Sequence, residues 1–79
     1  MNFSDWITER IRYFCKEKEI TINQLAIASG ITQSTLNSIM HNESKNPTVV
    51  TVFKICRGLN ITMSEFFEEI EYGEFEEFN

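Results

Sequence analysis

Apolar residues recur along this chain at the three- and four-residue spacing of helices, and polar breaks divide them into five segments. The first helix is predicted to start near Ser4 or Asp5, side chains that suit a helix start. Ile7, Ile11, Phe14 and Cys15 form its inward stripe, with Trp6 and Tyr13 flanking. Glu19-Ile20 turns the chain, and Ile20 plugs toward the core. Thr21 then opens a second helix with Gln24 three places on, the capping-box spacing. In it Leu25 is apolar and Ala26 is small, where another helix would press closest. Gly30 can take the left-handed conformation that ends a helix without a Cβ clash. Ile31 is apolar in the turn, and Thr32 can cap a third helix, Gln33 to Met40. That helix divides cleanly: Leu36, Ile39 and Met40 fall on one side, Gln33, Ser34, Asn37 and Ser38 on the other.

A polar loop, residues 41–47, follows, with Asn at two positions and Pro47 ending it. The fourth helix is predicted from about Thr48 to Gly58, with Val49, Val52, Phe53, Cys56 and Leu59 as its buried stripe. Asn60 can serve as a left-handed cap, and Thr62 with Glu65 makes a second capping box. The fifth helix is predicted over 63–70, with Phe66, Phe67 and Ile70 inward. The expected organisation is one domain over 1–70 and an acidic, aromatic tail over 71–79. For that tail three readings stand: a solvated end, a segment that folds back or pairs with a second subunit through its aromatics, or a shield over a basic face.

Composition narrows the class. Seventy-nine residues that are 42% hydrophobic, with one Pro and three Gly, suit a compact folded domain rather than a disordered one. A chain of this size buries roughly 60% of its unfolded surface. No apolar run approaches the ~20 residues of a membrane span, and the basic-then-apolar pattern of a secretion signal is missing, so a cytoplasmic protein is expected. Cys15 and Cys56 sit on apolar faces and read as reduced core thiols. One His and two distant Cys make no metal-ligand spacing, and no nucleophile–base–orienter set or Gly-rich phosphate loop appears, so neither cofactor nor catalysis is expected. His41 reads as a residue favouring the negative end of the third helix. Net charge is −5. Residues 1–61 nevertheless carry all seven basic residues against five acidic ones, while residues 62–79 carry seven Glu and no basic residue. The stretch 21–41 carries no charge at all.

That last fact changes the picture. Solvated helix surfaces are usually filled with Lys and Glu. An amide and hydroxyl face on the third helix suits donor/acceptor matching to base edges instead. The arrangement resembles the helix-turn-helix of the Cro/CI-type (XRE) family of bacterial and phage repressors. Counting from Ile22, the family's small fifth position is Ala26, and its ninth-position Gly is Gly30. Its apolar fourth, tenth, fifteenth and eighteenth positions are Leu25, Ile31, Leu36 and Ile39. The eighth, usually aliphatic, is Ser29. Residues 45–56 also resemble the family's fourth helix and its lead-in, and the likeness spans roughly residues 7–70.

The resemblance implies an all-α, compact five-helix, lambda-repressor-like DNA-binding domain with its helix-turn-helix at 22–41. It implies a regulator that binds double-stranded DNA as a homodimer on a near-palindromic operator, with no membrane partner and no small-molecule ligand. Gln33, Ser34, Asn37 and Ser38 would meet base edges. Thr32, Thr35, Asn23, Asn42, Lys45 and Asn46 would meet phosphates, and one or two of Arg10, Arg12, Lys16 and Lys18 could approach phosphate too. Ile22 stands where relatives often place a phosphate-binding Gln. Many relatives also pair an Arg in the first helix with a Glu ending the third. Here those positions are Cys15 and Met40, which are therefore expected to pack together. Val50, Ile55, the fifth helix and the tail are the candidate dimer surfaces. The alternative is a protein-interaction module of antitoxin or anti-repressor type that keeps the fold, favoured by the acidic tail and thin basic charge.

Overall fold

A computed structural model describes residues 2–41, 47–68, 70 and 75. The described chain is all-helical. Its elements are α1 (Phe3–Lys18), α2 (Ile22–Ser29), α3 (Gln33–Met40), α4 (Val49–Leu59) and a single turn, α5 (Met63–Phe66). The candidate phosphate residues Asn42, Lys45 and Asn46 lie outside the described residues.

Three corners are built the same way. Glu19, Gly30 and Asn60 each take the left-handed conformation at the end of a helix. The next residue is Ile in every case, and its amide reaches back five residues: Ile20 to the Cys15 carbonyl at 3.0 Å, Ile31 to Ala26 at 3.1 Å, Ile61 to Cys56 at 3.0 Å. These are Schellman closures, which satisfy carbonyls that the helix end would orphan. Each Ile packs against the core. A Thr then caps the following helix, with Thr21, Thr32 and Thr62 accepting the amides of Gln24, Thr35 and Glu65. The Thr21–Gln24 and Thr62–Glu65 capping boxes are both complete. Glu19 adopts its left-handed φ of 56° despite carrying a Cβ, a conformation that costs an L-residue roughly 1–2 kcal/mol.

Three expectations are corrected. Helix α1 begins one or two residues earlier than expected, at Phe3, capped by Asn2, whose Oδ1 accepts the Asp5 amide at 3.2 Å. On α4 the inward stripe is Val52, Ile55, Cys56 and Leu59; Val49 is 75% and Phe53 55% exposed, and Ile55, expected outward, is fully buried. Two overlapping apolar stripes are available on this helix, and docking along α2 selects the one that holds Ile55. Helix α5 stops at Phe66 rather than running to Ile70, and Arg10 binds its last carbonyls. Arg10 Nη2 donates to the Glu65 oxygen at 2.7 Å and Nε to the Phe66 oxygen at 2.8 Å. In a longer helix both oxygens would accept amides four residues on. The Arg10 guanidinium also lies 4.8 Å from the Phe14 ring centroid and 5.6 Å from that of Trp6. Arg10 is thus a structural clamp and leaves the set of phosphate candidates.

The core joins two halves. Leu25, Leu36, Ile55 and Leu59 are buried between α2, α3 and α4, while Trp6, Phe14 and Phe66 build an aromatic cluster between α1 and α5. Phe75 completes that cluster, fully buried and edge-on to Phe3 at 5.2 Å and to Trp6 at 6.2 Å. Of the readings of the tail, folding back describes this residue. Cys15 and Met40 are both buried in the common core. Burial raises the pKa of the Cys15 thiol, and pushes that of Cys56 up to about 11, so both stay protonated at neutral pH.

Among the described residues, Ser29 is the one polar misfit. It is fully buried where α2 meets α4, and among the described residues its Oγ has no hydrogen-bond partner. Gly58 permits the approach: a Cβ there would collide with Ser29 Oγ and stand 3.0 Å from the Ser29 nitrogen. An unsatisfied buried hydroxyl costs about 1–3 kcal/mol, and Ala is the better helix former. Ser29→Ala is therefore expected to stabilise the fold by about 1 kcal/mol, raising the thermal midpoint by roughly 4–8 °C in calorimetry.

Candidate nucleic-acid interface

Helix α3 is short, and its position is set from beneath. Leu36 is fully buried, and Ile39 and Met40 are buried beside it. Its start is fixed by the Gly30 turn and by Thr32, whose Oγ1 accepts the Thr35 amide at 3.0 Å. Its end is fixed from α1, where the buried Thr8 Oγ1 lies 3.3 Å from the Ile39 carbonyl. His41 closes the last turn, its amide donating to the Asn37 carbonyl at 2.9 Å and its Nδ1 also lying 2.9 Å from that oxygen. This is the end of the helix where His was expected.

With that seating, α3 presents one face outward. Gln33, Ser34 and Asn37 are exposed and Ser38 is half-buried, so the structure brings the four base-contact candidates together on one short helix. Ser34, Thr35 and Ser38 border a groove of about 350 Å³ whose other wall is Pro47, Thr48 and Thr51 at the start of α4. The sequence reading missed Thr48 and Thr51 as neighbours of this face. Their signal was a Thr-x-x-Thr pair identical to Thr32-x-x-Thr35, with the Thr48 and Thr51 hydroxyls 3.0 Å apart. Thr32 Oγ1 donates to Thr35 Oγ1 at 2.8 Å, so the proton that remains for an outside acceptor is that of Thr35. Asn23 is exposed at the start of α2. There the capping box occupies the Thr21 and Gln24 amides and leaves those of Ile22 and Asn23 at the positive end of the helix.

Charge near this face is sparse. Every described residue from Thr21 to His41 lacks a formal charge. Arg57 lies close to the turn, its Nη2 3.5 Å from the Ser29 carbonyl at the negative end of α2. Among the described residues no group of three or more His, Cys, Asp or Glu could hold a metal ion, and no helix is long and apolar enough to cross a membrane.

Residues 10–71 match the family model described as the Cro/C1-type HTH DNA-binding domain. The chain belongs to the Cro/C1-type helix-turn-helix family. Three relatives are HTH-type transcriptional regulators. SutR of Escherichia coli (strain K12) is 32% identical over 65 residues, which are 82% of this chain and 36% of that protein. SlrR of Bacillus subtilis (strain 168) is 36% identical over 58 residues, 73% of this chain and 38% of the relative. SinR of Bacillus subtilis (strain 168) is 29% identical over 70 residues, 89% of this chain and 63% of the relative. The chain thus spans between about a third and two thirds of the relatives' length. No solved structure matches it significantly. Within this Cro/C1-type domain, Gly30 is the turn between the two helices of the motif, and α3 is its second helix.

Proposed function

We propose that this chain is a sequence-specific, double-stranded-DNA-binding transcriptional regulator, with α3 entering the major groove of a near-palindromic operator. The observation that carries the reading is the exposed, uncharged Gln33–Ser34–Asn37–Ser38 face on a helix whose opposite side is locked into the core. In this reading Gln33 and Asn37 bond adenine edges, and Ser34 and Ser38 contact bases directly or through water. Thr35, Asn23 and the first amides of α2 hold phosphates, with Thr32 setting the geometry. Asn42, Lys45 and Asn46 extend that contact from the following loop. The functional unit is the domain over 1–70 with Phe75 of the 71–79 tail packed into its core, acting in the cytoplasm without cofactor or small-molecule ligand.

Homodimerisation doubles the few base contacts one short helix can make, with half-sites about 34–36 Å apart. The exposed Val49, Val50 and Phe53 on the outer side of α4 support this. Ile55, Phe66 and Phe75 drop out as dimer contacts, because all three are buried within the monomer.

One observation favours the interaction-module alternative. Basic charge is scarce, and Arg10 is spent on α5. Selection from random duplexes at low salt, followed by a salt series, separates the two. Enrichment of one motif, with affinity falling steeply as salt rises, supports the regulator. Recovery of no motif at low salt favours the module.

A further inference from the structure

The apolar underside seats the reading helix, and a directional polar tie adds a further constraint on its register. Between α1 and α3 a buried hydroxyl makes such a polar tie. Thr8 is 6% exposed, its Oγ1 3.0 Å from the Ser4 carbonyl one turn back on α1 and 3.3 Å from the Ile39 carbonyl of α3. The two oxygens share its proton. The Ile39 carbonyl is one of the last four of α3, where the regular helix ladder ends. It is also next to buried Met40, so water is a poor substitute.

We propose that Thr8 is a positioning residue for base reading: its hydroxyl anchors the C-terminal turn of α3 against α1 and so sets the register of Asn37 and Ser38. The proposal rests on α3 being the DNA-reading helix. Thr8 touches no base. It acts through Ile39, two residues after Asn37 and one after Ser38. Register matters here because hydrogen bonds to base edges weaken steeply with small displacements and misalignments.

The test compares the full chain with Thr8→Val, which keeps the shape and removes the hydroxyl, and with Thr8→Ser, which keeps the hydroxyl. Amide hydrogen exchange is followed by NMR in the free protein. In Thr8→Val the amides of the last turn of α3 are expected to exchange at least tenfold faster relative to those of α4, and Thr8→Ser is expected to restore the wild-type ratio. Equal acceleration in α3 and α4 overturns the proposal, since mere loss of global stability would do that. The second arm uses a duplex enriched by the wild-type chain and a scrambled duplex of equal length. Thr8→Val should lower the ratio of the two affinities at least fivefold with the scrambled affinity unchanged; an unchanged ratio overturns the proposal. If the wild-type chain enriches no duplex, the DNA reading fails, and the exchange arm still decides whether Thr8 holds α3. Thr8→Ala replaces Thr8→Val in both arms if the latter does not fold.

Discussion

Phe66→Ala is expected to cost about 3–5 kcal/mol, the range for emptying a fully buried aromatic site. The side chain is completely buried, with ring centroids 6.0 Å from Trp6, 6.3 Å from Phe14 and 5.1 Å from Phe67. Removing it leaves a void that three neighbouring rings cannot close without leaving their packed orientations. The damage spreads through the clamp as well, because the Phe66 carbonyl is one of the two oxygens that Arg10 holds. A domain of this length has roughly 4–12 kcal/mol of total stability, so the variant loses about a quarter of it or more. Urea titration followed by circular dichroism reads this directly. A loss under about 1 kcal/mol would mean that the aromatic cluster does not support the fold as described.

The largest functional effect is expected at Gln33 and Asn37. On a duplex selected by the wild-type chain, Gln33→Ala and Asn37→Ala should each weaken binding by about 1–3 kcal/mol, roughly 5- to 150-fold, if each makes a paired contact to one base. Both side chains are exposed, so neither truncation should disturb folding beyond a few tenths of a kcal/mol. Affinity for a scrambled duplex should barely change, because phosphate contacts carry it. Fluorescence anisotropy at one fixed salt concentration, on both duplexes, checks all three statements. Equal weakening on selected and scrambled DNA would remove these residues from base reading.

The sequence was most readable where one local rule had no competitor. Thr32 as cap, Gly30 as left-handed turn and Leu36, Ile39 and Met40 as the inner face of α3 all follow from spacing and backbone stereochemistry within a few residues. It was less readable on α4. There Val49, Val50, Val52, Phe53, Ile55 and Cys56 offer more apolar surface than one face can bury. Helical periodicity leaves two stripes possible, and only the position of α2 chooses between them. The repeated Ile-Thr after Glu19, Gly30 and Asn60 was open to view but gained its meaning from the three closures it builds.

The sequence by itself determined that there are five helical segments, the Thr21, Thr32 and Thr62 caps and the uncharged outer face of α3, because each depends on contacts within about one turn of chain. Only the tertiary structure decided the rest. Arg10 became a clamp on α5 because Glu65 and Phe66, 55 and 56 positions away, offered their carbonyls. Thr8 became a tie because the fold brings the Ile39 carbonyl, 31 positions on, beside it. Ser29 was left unpartnered because Gly58 lets two backbones close over it. Such partners are chosen by which surfaces pack together, and no periodicity along the chain encodes that choice.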